Sequence, residues 1–195
     1  MEPVLISLAG YLLGSIPFGV ILARLKNIDL RQHGSGNIGA TNVARTLGKR
    51  AGILTLAGDA AKGFLAVALA DLLLTEPRQV ALVGFLAFLG HLHSVFLKFR
   101  GGKGVATGLG IFLYLMPWAT LSSMAVFALT LWQWRYVSLS SMVAALSIPL
   151  FGWGYSAAPS FVMLGAVVAA LVMLRHRENI VRLQHGTENR LTSKA

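Results

Sequence analysis

An all-α integral membrane protein with about seven transmembrane helices, some short or broken, is the fold this sequence predicts. Three observations predict it. Only 12 % of the 195 residues are charged and 55 % are hydrophobic, whereas an average soluble domain carries about 25 % charge. Charge-free runs of bilayer length recur along the chain. The lysines and arginines gather in the connections between those runs, which sets the N-terminus outside and the C-terminus in the cytoplasm. The whole of 1–195 reads as one polytopic membrane domain, with no separate soluble domain and no internal repeat.

Val4–Ala23 is twenty residues without a charge, ~30 Å as a helix, which matches a bilayer core. It is not built as a signal peptide, because Met1-Glu2-Pro3 is acidic and the positive charge follows the span. Ala51–Leu74 is a second apolar run, interrupted by Asp59, Lys62 and Asp71, and Val80–Leu97 is a third, polar only at its end. Val105–Leu131 has 27 charge-free residues and Val137–Leu174 has 38. A helix of the latter length would extend ~57 Å, so it must fold back, and Gly152–Pro159 is the expected turn. Breaking Val105–Leu131 at Met116-Pro117-Trp118 gives seven spans. Segments 24–50, 98–103, 135–136 and 175–195, which hold 15 of the 17 Lys and Arg, then all face inside.

The remaining composition excludes several functions. Seventeen basic residues against seven acidic ones give a net charge of +10. In a soluble protein that excess would suggest nucleic acid, but here the basic residues flank apolar spans and point to topology and to anionic lipid or substrate. With no cysteine, the chain has no disulfide, no thiolate metal site and no cysteine acyl-enzyme. Acids are too sparse for a metal centre beside the histidines, so no metal and no cofactor are expected.

The first inner loop holds Gly34-Ser35-Gly36-Asn37-Ile38-Gly39-Ala40-Thr41-Asn42 and then Arg45. Its glycines satisfy G-x-G-x-x-G, but no strand precedes them, so a dinucleotide fold is excluded. Two readings stand: a polar turn, or glycine-spaced N–H groups and a helix start aimed at an anion. In the second, Ser35, Asn37, Thr41 and Asn42 add neutral donors and Arg45 a planar charge. The second inner loop, Gly101-Gly102-Lys103-Gly104 with Thr107 just beyond, lacks the Walker A spacing. It reads as a second phosphate cradle or as a flexible stop signal. In the tail, His176 and Asn179 lie three apart on one helix face with Arg182. They suit either proton transfer or a basic helix lying on lipid. Asp59 and Lys62, three apart at membrane depth, are expected to pair.

Three multi-residue motifs together resemble one family. Gly14-Ser15-Ile16-Pro17-Phe18-Gly19 leads into the 34–42 loop and Arg45. Gly90-His91 runs through Ser94 and Phe96 to Gly101-Gly102-Lys103-Gly104-Val105-Ala106-Thr107. His176, Asn179, Arg182-Leu183, Gly186 and Glu188 follow. In this order, over nearly the whole chain, they resemble the bacterial acyl-phosphate:glycerol-3-phosphate acyltransferases. The resemblance implies a phospholipid-synthesis enzyme of the bacterial inner membrane with its active site facing the cytoplasm. It would transfer an acyl chain from acyl phosphate to the 1-hydroxyl of sn-glycerol 3-phosphate, giving lysophosphatidic acid and phosphate. Its partners would be the two substrates, membrane lipid and the soluble enzyme that makes acyl phosphate, with no nucleic acid.

By the same resemblance, Ser35, Arg45, Lys103, His176 and Asn179 would be catalytic, Gly101 and Gly102 would bind phosphate, Ser141 would line the substrate pocket and Glu188 would support the site. The loop chemistry itself adds Gly34, Gly36, Asn37, Thr41, Asn42, Gly104 and Thr107 as expected substrate-binding residues, and the Asp59–Lys62 pair as expected support. The chemistry agrees, since an acyl phosphate is already activated and the enzyme mainly has to hold two anions together. None of the five histidines has an Asp five positions on, so the His-x4-Asp mechanism is absent. The competing class is a small transporter of a phosphorylated metabolite, which buried Asp59 and Lys62 would also suit.

Overall fold

A computed structural model describes residues 2–191, and among them every regular element is helical. The chain divides between Tyr114 and Leu115 into two compact units. The first holds α1 (Glu2–Ser15), α2 (Phe18–Arg24), α3 (Ala40–Leu47), α4 (Lys49–Leu73), α5 (Pro77–Leu92) and nearly all of α6 (Val105–Leu115). The second holds α7 (Pro117–Trp134), α8 (Val137–Gly154), α9 (Pro159–Arg175) and α10 (Arg177–Gln184).

Each of the seven apolar segments forms helix. The two breaks expected in the long runs fall at Met116 and between Gly154 and Pro159, where Pro117 and Pro159 each begin a helix. Proline suits that position because its missing N–H has no partner there in any case. Among the described residues, three helices are individually long and apolar enough to cross a bilayer: Lys49–Leu73, Pro77–Leu97 and Val137–Gly154. The bent pairs α1/α2 and α9/α10 raise that number to five, and α6 is a shorter apolar helix of 11 residues.

The first span differs from its expected form. It is not one straight helix but bends by 42° between Ser15 and Phe18. Pro17 has no N–H and its ring crowds the preceding turn, so the ladder is interrupted. The carbonyls released there are satisfied by side chains. Ser94 Oγ donates to Ser15 O at 2.6 Å, and Lys62 Nζ donates to Ile16 O at 2.7 Å. Lys62 Nζ also lies 2.7 Å from Asp59 Oδ1, so the expected pair forms, and both residues are buried.

Small residues let the helices of this unit approach closely, as packing without a hydrophobic drive requires. A methyl group on Gly14 would strike the Ala87 backbone, one on Gly90 the Tyr11 carbonyl, and one on Gly110 the Ala60 carbonyl. In the second unit, Ser147 Oγ donates to Ser123 Oγ at 2.9 Å between α8 and α7. Gly165 of α9 packs against Ile148 of α8.

Lys62 therefore holds an anion and a broken backbone at once, which makes a prediction. Lys62→Met should destabilise the detergent-solubilised protein by roughly 3–5 kcal/mol, because it strands a buried carboxylate. Adding Asp59→Leu should restore part of that loss but not all, since Ile16 O stays uncapped. Thermal unfolding of the single and double variants checks this.

Candidate active site

The 34–42 loop is built around Asn42. Its buried carboxamide Nδ2 lies within hydrogen-bond distance of three carbonyls, those of Asn37 (2.8 Å), His33 (3.0 Å) and Leu30 (3.2 Å). Its Oδ1 accepts from Ser35 N at 2.9 Å. Gly34 and Gly36 have φ of +58° and +69°, a backbone region that suits glycine. A side chain on Gly34 would also collide with Asn42 Oδ1. Asn42 and these glycines thus hold the loop's shape, which is a different task from the substrate contact expected of them. Asn37 Oδ1 likewise accepts from Gly39 N at 3.2 Å, just before α3 starts.

What this loop presents outward is side chains. Ser35 and Arg45 are exposed, and Thr41 shares a face of α3 with Arg45, four residues on. Among the described residues the Ser35 hydroxyl makes no hydrogen bond, and the Arg45 guanidinium makes neither a hydrogen bond nor an ion pair.

The second glycine loop lies on the last turn of α5. Gly101 N donates to Leu92 O at 3.0 Å and Gly102 N to His91 O at 3.1 Å. A methyl on Gly101 would strike the His91 carbonyl, one on Gly102 the His91 ring, and one on Gly104, whose φ is +83°, the Phe88 ring. These glycines are required by close packing, and the two N–H groups expected in a phosphate cradle are bonded to α5 instead. Just before them, Lys98 and Phe99 both take left-handed conformations, with φ of +52° and +62°. A bulky residue there is strained, a condition found mainly at functional sites. Lys103 is half-buried at the approach to α6. Thr107 is fully buried, and its hydroxyl pairs with His91 Nδ1 at 3.0 Å. It is therefore occupied inside the protein rather than turned toward a ligand.

The two loops meet through Arg31, a residue that no motif singles out. Arg31 Nη2 donates to Arg100 O at 2.8 Å, which ties the loop carrying Ser35 and Arg45 to the one carrying Lys103. Asp29 steadies that arginine's turn by accepting from Arg31 N at 3.0 Å.

The second unit carries the tail residues. His176 sits at the 58° bend between α9 and α10, buried, with Nδ1 2.8 Å from Val172 O. A carbonyl can only accept, so Nδ1 carries the proton and Nε2 is the basic nitrogen of the neutral ring. Asn179 Nδ2 donates to Glu188 Oε1 at 2.7 Å, Ser138 Oγ donates to the same oxygen at 2.7 Å, and Arg182 Nε donates to Oε2 at 2.7 Å. Ser141 Oγ is turned back onto its own helix, donating to Val137 O at 2.8 Å. Arg182 and Ser138 were not expected as site residues. Arg182 stands in the third motif, whereas nothing in the sequence marks Ser138, fifty residues from its partner.

Burial alone would raise the Glu188 pKa. The hydrogen bonds from Arg182, Ser138 and Asn179 and the Arg182 charge outweigh burial, and the carboxyl is held below its usual range. A depressed carboxylate stabilises the fold above its unfolded pKa of ~4.3 and loses that contribution as pH falls through its folded value. The tail over 177–190 should therefore hold through the neutral range down to about pH 5 and loosen only in stronger acid. Glu188→Gln should loosen it at every pH, by roughly 2 kcal/mol for the lost charged hydrogen bond. Hydrogen exchange across pH, corrected for intrinsic rates, measures both effects.

Residues 4–186 match the family model described as glycerol-3-phosphate acyltransferase. A glycerol-3-phosphate acyltransferase of Geotalea daltonii is 50 % identical over 186 residues, covering 95 % of this chain and 96 % of the relative. One from Syntrophotalea carbinolica is 52 % identical over 188 residues, 94 % of each chain. Two crystal structures of PlsY, an integral membrane glycerol 3-phosphate acyltransferase, superpose at 40 % identity over 99 % of this chain and 97 % of theirs. The glycerol 3-phosphate form gives a TM-score of 0.96 and the lysophosphatidic acid form 0.92.

Proposed function

The chain belongs to the glycerol-3-phosphate acyltransferase family, and from that premise we propose that its acyl donor is an acyl phosphate. The acyl group passes to the 1-hydroxyl of sn-glycerol 3-phosphate, and the products are lysophosphatidic acid and inorganic phosphate. The reaction runs at the cytoplasmic face of the bacterial inner membrane, supplied by a soluble enzyme that makes the acyl phosphate. Family membership displaces the transporter reading.

One observation carries the choice of two phosphorylated substrates. The Arg31–Arg100 hydrogen bond joins two cation-bearing loops in one unit, so two anions can be held near each other against their repulsion. Arg45, whose fork suits a phosphate, and Lys103, a compact charge, neutralise them. Thr41 and Ser35 add hydroxyl donors. With the donor already activated, the glycerol hydroxyl attacks the acyl carbon directly. The new C–O bond forms, the bond between the acyl carbon and the bridging phosphate oxygen breaks, and phosphate leaves with that oxygen. The hydroxyl proton goes to His176 Nε2 or to a substrate phosphate oxygen. Ser35 hydrogen-bonds a phosphate or the developing oxyanion, and Asn179 acts with His176.

Purified protein in detergent should make lysophosphatidic acid from glycerol 3-phosphate and acyl phosphate. Product from acyl-coenzyme A alone would overturn the donor while leaving the family activity in place. Arg45→Ala and Lys103→Ala should each lower kcat/KM by about 100- to 1000-fold, the size of other preorganised donor losses. Arg45→Lys should recover only part of this, because lysine lacks the bidentate fork.

A serine nucleophile needs an adjacent, oriented base, and the exposed Ser35 hydroxyl has no base bonded to it among the described residues. Ser35→Ala should lose most activity. Wild-type enzyme given acyl phosphate alone and rapidly quenched should show no acyl chain on Ser35 by mass spectrometry, and a trapped acyl-Ser35 burst would sink direct transfer.

A further inference from the structure

Directly beneath the second glycine loop lies a buried histidine that the reaction, as derived, does not use. His91 is 5 % exposed, on the last turn of α5. Its Nδ1 lies 3.0 Å from Thr107 Oγ1 and 3.7 Å from Asp59 Oδ1, the carboxylate that Lys62 holds. A carboxylate this near favours the tautomer protonated on Nδ1, with Thr107 Oγ1 as its acceptor. Nε2 is then the acceptor edge of the ring. That edge faces Gly102, where an added methyl group would strike Nε2. His91 thus meets Gly102 twice: its carbonyl accepts the Gly102 N–H at 3.1 Å, and its ring fills the space that a side chain on the glycine would need. The network runs on through Asp59 and Lys62 to Ile16 O, at the bend of the first span. An apolar filler would serve packing alone here, where Phe88 and Leu92 already provide it. A polar ring anchored at Nδ1 instead fixes both the height and the orientation of the surface on which the loop rests.

We propose that His91 is a positioning residue for the second glycine loop, held from below by Thr107 and the Asp59–Lys62 pair, and that it sets where Lys103 meets a phosphate. This rests on the assignment of Lys103 to phosphate made above. Displacing a binding group by 1 Å can cost as much as ~100-fold, so the effect should be large enough to measure.

Inorganic phosphate is the probe, titrated against the full-length protein in detergent. Each variant's phosphate-induced rise in unfolding midpoint is read against its own phosphate-free midpoint, so a general loss of stability does not register. His91→Asn keeps a group near Nδ1 but withdraws from Gly102, and should weaken phosphate about tenfold. His91→Gln carries an acceptor out to the reach of Nε2 and should stay within about threefold of wild type. Thr107→Val, close to isosteric, frees the ring without removing it and should weaken phosphate about threefold, which covers the case of an unstable His91→Asn. Because His91 acts through Lys103, adding His91→Asn to Lys103→Ala should change affinity by less than about twofold, where independent sites would multiply.

Phosphate binding to His91→Asn as to wild type, equal losses in His91→Asn and His91→Gln, or multiplicative losses in the double variant would each overturn the proposal. Lys103→Ala binding phosphate like wild type, or a wild type with no phosphate response, would overturn the Lys103 assignment and this inference with it. Those arms keep His91 intact, so the two failures are told apart.

Discussion

Inside a bilayer no water is at hand to satisfy a backbone group that leaves a helix, so every break in a span must be completed by protein. In the first unit that constraint centres on the ammonium of Lys62. It bonds the Ile16 carbonyl at the Pro17 bend and pairs with Asp59 at the same time. Without it the bend would leave an uncapped carbonyl and the carboxylate would be an unpaired charge at membrane depth, each costing several kcal/mol. With it the chain turns by 42° and enters α2 on a new axis. Ser94 does the matching task for Ser15 O, so α5's end is joined to the same bend. The second glycine loop then builds on that end of α5, and the order of the site goes back to a buried ion pair.

Glycine-rich loops near phosphate sites are commonly explained by free backbone N–H groups converging on the anion. Here much of that capacity is used internally. Ser35 N, Gly36 N and Gly39 N are bonded within the first loop, and Gly101 N and Gly102 N are bonded to α5. The glycines are needed where the chain passes too close to another backbone, or to an aromatic or imidazole ring, for any Cβ to fit. Rigidity follows from the same contacts. Side chains mounted on such loops have their positions set before substrate arrives, which is where electrostatic preorganisation gains its effect.

The apolar segments and two of the three interruptions were legible because proline and glycine punctuate them. The bend at Ser15–Phe18 was not, although Pro17 stands in view, because the charge-free run of Val4–Ala23 continues across it. The motif residues were legible as a set, but not how they divide their labour. Asn42 and Thr107 look like surface donors in a polar loop, yet both are buried and bonded within the protein. His91 had no visible role because its partners, Asp59 and Thr107, lie on other helices 32 and 16 residues away. Only tertiary packing brings the three together. Three donors meet the Glu188 carboxylate, two of them from within the tail.

The distribution of acidic residues completes the electrostatic logic. The chain has only seven acids against 17 basic residues, and the acids with bonded side chains are tied to structural tasks. Asp29 caps the turn that carries Arg31, Asp59 pairs with Lys62, Asp71 accepts from Tyr114, and Glu188 organises the tail. Arg45 is left without a neutralising carboxylate among the described residues, and Arg24, Lys26, Lys49, Arg50 and Lys98 are exposed in the same unit. Clustered charge of one sign beside a low-dielectric bilayer concentrates oppositely charged ligands. A surface with that field suits a member of the glycerol-3-phosphate acyltransferase family, whose acceptor substrate carries a phosphate. Positive charge beside apolar spans also biases which side of a bilayer a loop takes, so residues that attract anions are of the same kind as those that direct topology.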